Sequence, residues 1–292
     1  MPRTCVYQVP VDSGFFTPIG LQPAAVCRLG FDGAGRWLGR HAIGHRRLVA
    51  EHRTGFVYWS VQLVPGDPVG FFDADRLDVT VTGGVRGGGT QVECEVVVEP
   101  VRQEDDSPPL TPRRKPGGRG GARLRAVCVP LRLDGGPALS GAPARLKPEV
   151  LAAFRPDEME ARPHRSPVPG LRAAIAARGA VLAGGRSPFV IHRHQCEVAD
   201  QWFWPEAVSL AGGAREDLVL AQGERVRPLR LAMQAPARRL DLLFSRPFYL
   251  FDEGAVASTV SEWEGGLAFV HEFFGAGEPR PRAVAIEQFA WD

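Results

Sequence analysis

The chain repeats one pattern. Near its start it reads Cys5-Val-Tyr-Gln-Val-Pro-Val-Asp12, followed by Ser13-Gly-Phe-Phe16. Near residue 190 it reads Phe189-Val-Ile-His-Arg-His-Gln-Cys-Glu-Val-Ala-Asp200, followed by Gln201-Trp-Phe-Trp204. Each copy is a strand-like run closed by an aspartate, then an aromatic cluster, a stretch with helical spacing and a series of long β-rich segments. A duplicated strand–helix–sheet unit predicts two similar halves packed together, with a site at their joint.

In the first copy, Cys5–Val11 predicts a strand. Residues 17–30 predict a helix carried by Ile19, Leu21, Ala24, Val26 and Leu29. Phe56–Val64 reads as a strand closed by Pro65-Gly66-Asp67-Pro68. Leu77–Thr82 and Thr90–Val98 are strands joined through the glycine-rich run 83–89, and in the second of them Val92, Cys94, Val96 and Val98 recur at period two. Residues 102–122 lack any apolar period and read as a mobile loop, after which Arg123–Leu133 resumes as a strand. The second copy predicts a strand over 189–198, a helix near 205–221, and strands over 228–234 leading to 239–248, 254–264, 267–274 and 282–290. The expected organisation is an N-terminal half, 1–134, a connector, 135–187, with short helices at Pro148–Phe154 and Gly170–Leu182, and a C-terminal half, 188–292.

Composition excludes several classes. The 292 residues are 44% hydrophobic, enough to bury a core, and the net charge of +2 argues against a dedicated nucleic-acid binder. No apolar run reaches the ~18 residues of a membrane span, and the N-terminus lacks a signal-peptide core, so a cytoplasmic protein without membrane contact is expected. The five cysteines are scattered, odd in number and form no CxxC pair, which points to reduced, mostly buried thiols. His192 and His194 alternate on the expected strand but have no third ligand at metal spacing, so no metal and no cofactor are expected. The 83–89 run lacks the Lys-Ser/Thr of a phosphate loop, and no G-x-S-x-G elbow exists.

A strand, one helix and a meander of antiparallel strands form the plan of the α+β hot-dog fold, in which the sheet wraps a central helix. Two copies predict a tandem (double) hot-dog with two antiparallel sheets. Four short runs carry a family resemblance: Phe244-Ser-Arg-Pro-Phe248, Ser258-Thr-Val-Ser261, Gly266-Leu-Ala-Phe-Val-His-Glu-Phe273 and Ala283-Val-Ala-Ile-Glu-Gln288. Together they resemble the last half of double hot-dog acyl-CoA thioesterases of the type II class. The strands ending in Asp12 and Asp200 resemble instead the opening of 4-hydroxybenzoyl-CoA-type thioesterases. The resemblance implies hydrolysis of an acyl-CoA or acyl-carrier-protein thioester by a water held between an Asp, a Ser/Thr and a Gln. Ser261 and Gln288 match the last two. The Asp place holds Arg239, with Asp241 two residues on and on the same strand face. An acyltransferase or dehydratase on the same fold, or a non-catalytic thioester-binding protein, are the alternatives. A homodimer is expected by analogy. The arginine-rich, lysine-poor composition points to a high-GC genome, and a protein with this resemblance in such a genome is expected to serve polyketide or fatty-acid metabolism.

Each remaining candidate has a structural alternative. Asp200 and Asp12 precede the expected helices, where a carboxylate activates water beside helix N–H groups or merely caps the helix. Glu206, in the first turn of the second helix, is a general-base candidate or a dipole-favoured acid. Trp202, Phe203 and Trp204 wall an acyl groove or pack the core. Arg113 and Arg114, with Lys115 and Arg119, meet coenzyme A phosphates or an acidic carrier, or stay solvated. His271-Glu-Phe-Phe-Gly275 is similar to the H-x-x-x-G of hot-dog dehydratases but falls on a late strand and has Arg280 where a proline is needed.

Overall fold

A computed structural model describes residues 2–101, 121–134 and 141–290. β1 (Thr4–Pro10) leads through a 3-10 turn at Ser13–Phe15 and a small hairpin, β2 (Phe16–Thr17) with β3 (Gly20–Leu21), into α1 (Pro23–His41) and α2 (His45–His52). Four long strands follow: β4 (Thr54–Pro65), β5 (Arg76–Arg86), β6 (Gln91–Val101) and β7 (Ala122–Leu133). Then come β8 (Gly141–Pro143), α3 (Pro148–Leu151), β9 (Met159–Glu160) and α4 (Val168–Arg178). The chain continues as β10 (Ala180–Val190), α5 (Glu206–Gln222), α6 (Pro228–Leu231), β11 (Arg239–Phe244), β12 (Glu253–Trp263), β13 (Gly266–Gly275) and β14 (Ala283–Ala290).

The long strands join one antiparallel sheet in the order β1-β5-β6-β7-β4-β11-β14-β13-β12-β10. Read inward from either edge the order is the same, β1-β5-β6-β7-β4 on one side and β10-β12-β13-β14-β11 on the other. The halves meet where β4 pairs with β11, Leu63 opposite Leu240 and Val61 opposite Leu242. All four of these side chains are buried, so the apolar inner face runs unbroken through the joint.

Each half lays one long helix on that inner face. Ala207, Val208, Ala211, Ala214 and Leu218 are the buried residues of α5, spaced as one stripe of a 3.6-residue period. α1 approaches its sheet closely because two helical glycines allow it. A Cβ at Gly30 would lie 2.1 Å from Leu124 Cδ2, and one at Gly33 2.7 Å from Val81 Cγ2. On the opposite, outer face of the second half lies α4, whose Val168 and Ile175 pack with Trp263, Ala268, Val284 and Ile286. Arg172 on α4 pairs with Glu272 on β13 at 2.6 Å.

Several expectations are corrected. The first long helix starts at Pro23, a favoured first position, and continues past residue 30 to His41; residues 16–21 are a hairpin instead. The strand expected at 189–198 lies upstream, as β10, and begins inside the stretch read as connector and helix. Gly184, Gly185 and Pro188 argue against a central strand, but β10 is an edge strand and tolerates them. Residues 228–231 form a helical turn opening with Pro228, not a strand. His192 and His194 sit on a 3-10 turn and stack on each other, exposed. The five cysteines are free, and four are buried. No helix among the described residues is long and apolar enough to cross a membrane.

Candidate active site

The segment between β10 and α5 carries the second half onto the first. An isolated bridge between Cys196 and Trp202 folds residues 196–202 into a tight hairpin. Asp200 sits at its turn, donating its N–H to the Glu197 carbonyl at 3.1 Å with a left-handed backbone, φ 52°. Beyond the hairpin the aromatic cluster crosses the joint. Phe203 packs edge-on against Phe31 of α1 at 4.9 Å, and Trp204 lies 4.8 Å from Tyr58 of β4. At the helix starts, Arg28 of α1 pairs with Glu206 of α5 at 2.5 Å.

A titratable group in this crease stands apart electrostatically. Glu197 is partly buried, and desolvation alone pushes its carboxyl above the usual range. Among the described residues its carboxylate has no hydrogen-bond or ion-pair partner. Other buried carboxylates are neutralised by arginine. Arg3 holds Glu158 down at about 2. Burial would raise Glu287, but Arg215 and His271 outweigh it and also hold it at about 2. Asp241 accepts from Arg239 Nε at 2.6 Å. Beside Glu197, burial pushes the Tyr58 phenol well up, with the neighbouring Cys128 and Cys94 thiols and Glu197 adding to the effect. The phenol therefore stays protonated and able to donate. Burial pushes Cys94 up to about 12, so that thiol is protonated too. The indole Nε1 of Trp204, in a side chain only 6% exposed, has no hydrogen-bond partner among the described residues. The crease thus brings together a carboxylate predisposed to take a proton and neutral donors able to meet a developing negative charge.

The residues expected from sequence distribute differently. Asp200 is exposed and pairs with Arg193 at 2.8 Å on the surface. Asp12 caps the 3-10 turn, accepting from Gly14 N at 2.7 Å, and is exposed. The backbone donors expected at the start of α5 are already used: the N–H groups of Glu206, Ala207 and Val208 donate to the carbonyls of Phe203, Trp204 and Pro205. Glu206 is the anchor of the interhelix ion pair. Trp202 is buried in a cluster with Phe189, Phe248 and Phe273.

Ser261, Gln288, Arg239 and Asp241 do share one face. Ser261 faces Ala268, Ala268 faces Gln288, and Gln288 faces Arg239 in successive strand pairs, with Asp241 one step along β11. That face is the outer one, away from α5. Ser261 is buried there against the end of α4, where a Cβ at Gly179 would lie 3.0 Å from its own. Asp241 is fully buried and is further tied to Gln62 at 3.2 Å. The register from Arg239 to Phe244 runs without a bulge, so no slip moves Asp241 into the place of Arg239. Arg113 and Arg114, like nearly all of the 102–122 segment, lie outside the described residues. No group of three or more His, Cys, Asp or Glu side chains that could hold a metal is present among the described residues.

Glu197 and Tyr58 were missed in the sequence. Glu197 lies three residues before the more conspicuous Asp200, and Tyr58 comes from the other half, beside a bulge between residues 58 and 60. Cavities among the described residues lie away from this crease. One, of about 20 Å³, is walled by Ile19, Leu21, Val26, Leu63, Val69 and Pro236. Another is an open groove of about 400 Å³ at the β12–β13 turn beside Arg178 and Trp263.

No protein-family model matches the chain, and no curated protein sequence matches it. Solved structures do. A Lactobacillus plantarum protein assigned as an oleoyl thioesterase aligns with a TM-score of 0.69 at 9% identity, over 98% of this chain and 96% of that one. The 12:0-ACP thioesterase from Umbellularia californica aligns at 0.64 and 11% identity, over 98% and 93%. An acyl-ACP thioesterase from Bacteroides thetaiotaomicron aligns at 0.63 and 12% identity, over 98% and 97%. At such identities the likeness is one of fold: a large antiparallel sheet with few helices, as in hot-dog thioesterases.

Proposed function

We propose that this chain hydrolyses acyl thioesters at the crease between its halves. The architecture we infer is a tandem hot-dog, one unit over residues 1–134 around α1, the other over 180–292 around α5, with the stretch between them as connector. The repeated strand order and the full-length likeness to thioesterase structures support that reading. Glu197 takes a proton from water as the water oxygen bonds to the thioester carbonyl carbon. The Tyr58 hydroxyl and the Trp204 indole N–H donate to the carbonyl oxygen as it becomes negative. The C–S bond then breaks, and Glu197 returns its proton to the leaving thiolate. The substrates are coenzyme A or carrier-protein thioesters, the latter named for two of the similar structures.

The observation that carries this reading is the Glu197 carboxyl, partly buried at the joint, raised by burial and without a cationic partner among the described residues. The test is thiol release from a panel of acyl-CoA and acyl-carrier thioesters, with the acyl product followed by mass spectrometry. Free acid with free thiol, lost in Glu197→Gln, is the expected result. Turnover unchanged in Glu197→Gln would overturn the role of that residue. Acyl groups moved to a carrier, or a mass change of one water, would assign transferase or dehydratase chemistry instead. A second reading, non-catalytic thioester binding, is favoured by Arg239, which stands at the type II aspartate position and pairs with the buried Asp241 two residues on. It predicts binding with no turnover on any member of the panel.

A further inference from the structure

The inner face of the second half carries a polar chain that the Glu197 reading does not use. Ser258 on β12 stands opposite His271 on β13, and His271 stands opposite Ala285, two residues before Glu287 on β14. All three side chains therefore point to the same face. Ser258 Oγ lies 2.8 Å from His271 Nδ1, and His271 Nε2 lies 3.2 Å from Glu287 Oε2. Arg215, on α5, donates from Nη1 to both oxygens of Glu287 at 2.7 Å. Ser258, His271 and Glu287 are at most 3% exposed.

The fold does not require this chain. The first half has the same strand order, and there the inner face of β5 and β6 carries Val79, Val81, Val96 and Val98, all buried, with Leu124 beside them on β7. Apolar side chains of similar volume commonly serve a core as well as a buried polar network or better. The second half keeps a serine, a histidine and a glutamate where its twin has hydrocarbon.

Their order is that of a nucleophile, a base and an acid that orients the base. When Nε2–H donates to the ionised Glu287, the Nδ1 lone pair faces the Ser258 hydroxyl. Arg215 keeps Glu287 ionised, so that it accepts from the imidazole. Access from the sheet edge is short. Ser258 is one strand in from β10, its partner there is Gly185, and Gly184 and Gly185 are both exposed. Leu218 of α5 closes this side, its Cδ1 3.0 Å from where a Gly185 Cβ would stand.

We propose that Ser258 is a nucleophile that takes up an acyl group from an activated ester or thioester, with His271 as its base and Glu287 orienting the imidazole. The Oγ–C bond forms as the C–S or C–O bond of the acyl donor breaks. The Oγ proton passes to His271 Nδ1 and on to the departing thiolate or alkoxide, leaving acyl-serine and free thiol or alcohol. This centre is separate from Glu197 and stands whether or not thioester hydrolysis occurs there.

The test treats the full chain with an alkyl fluorophosphonate and, separately, with p-nitrophenyl butyrate, and maps the adduct by peptide mass spectrometry. One adduct is expected, on the peptide holding Ser258. It disappears in Ser258→Ala, slows at least about 100-fold in His271→Gln, and forms undiminished in Glu197→Gln. Leu218→Ala, which thins the wall beside Gly185, labels faster. Circular dichroism checks that each variant folds, and the site mapped on the wild-type chain decides the matter even where Ser258→Ala does not fold. An adduct on another residue, labelling that persists in Ser258→Ala, or no adduct in either the wild type or Leu218→Ala overturns the proposal.

Discussion

Replacing Glu197 with glutamine should make the protein more stable and less active, and the two effects have one cause. Burial raises the carboxyl, and no cation among the described residues offsets it. An acid raised in the folded state contributes stability that is complete below its unfolded pKa and is lost as pH rises through the folded one. The carboxylate therefore costs the native state nothing near about pH 4 and its full penalty near about pH 8. An unpartnered buried polar group costs about 1–3 kcal/mol; with Glu197 only partly buried, screening by solvent leaves about 1 kcal/mol. Glutamine carries no charge, so Glu197→Gln should gain about that amount at the higher pH and nothing at the lower. With a urea slope of about 2 kcal/mol/M, the unfolding midpoint should rise by about 0.5 M near pH 8 and coincide with wild type near pH 4. Turnover should fall by about 10²–10⁴, the range for loss of a general base. Urea unfolding at the two pH values, with thiol release measured on the same preparations, tests both halves. A variant that is less stable at the higher pH would refute the argument, because it would mean that Glu197 has a favourable partner.

Other outcomes follow from the same structure. Glu158→Gln should cost about 3 kcal/mol at neutral pH, the value of moving a carboxyl from 4.5 to about 2; since that pKa is depressed, the loss should vanish as acid approaches pH 2, read by urea unfolding across pH. Gly30→Ala should lower the melting temperature by a cost of about 1–3 kcal/mol, because its Cβ would enter Leu124. Ser261→Ala and Gln288→Ala should leave thiol release within about two-fold of wild type if the crease is the site. Arg239→Ala should destabilise by about 3–5 kcal/mol, leaving the fully buried Asp241 without its cation.

The second half was largely legible in the sequence. β12, β13 and β14 stand out as β-branched and aromatic runs bounded by turns, near-continuously apolar because α5 covers one face and α4 the other, and α5 shows its stripe. α1 and β10 were misplaced for the opposite reason. The expected helix ends at residue 30, yet Gly30 and Gly33 are what lets α1 touch the sheet and run on to His41. Gly184 and Gly185 fall in the stretch read as connector, yet an edge strand accommodates them. Both depend on a neighbour distant in sequence. The candidate site shows the same divide. The segment 189–206 stood out, but the choice between Glu197 and Asp200 turns on the Cys196–Trp202 bridge, which puts Asp200 at the exposed turn. Tyr58 reaches the crease only because β4 and β11 pair.

The two halves share a strand order but have lost chemical equivalence, and that fixes a stoichiometry. The loop after β1 closes over a space for about one water, walled by apolar side chains, while the loop after β10 brings in Glu197. A symmetric pair of such units would offer two equal chambers. On our reading only the second half brings a carboxylate to the crease, so titration with a non-hydrolysable thioester should show one crease-bound ligand per 292-residue chain, lost in a crease variant and counted apart from any acyl group taken up by Ser258.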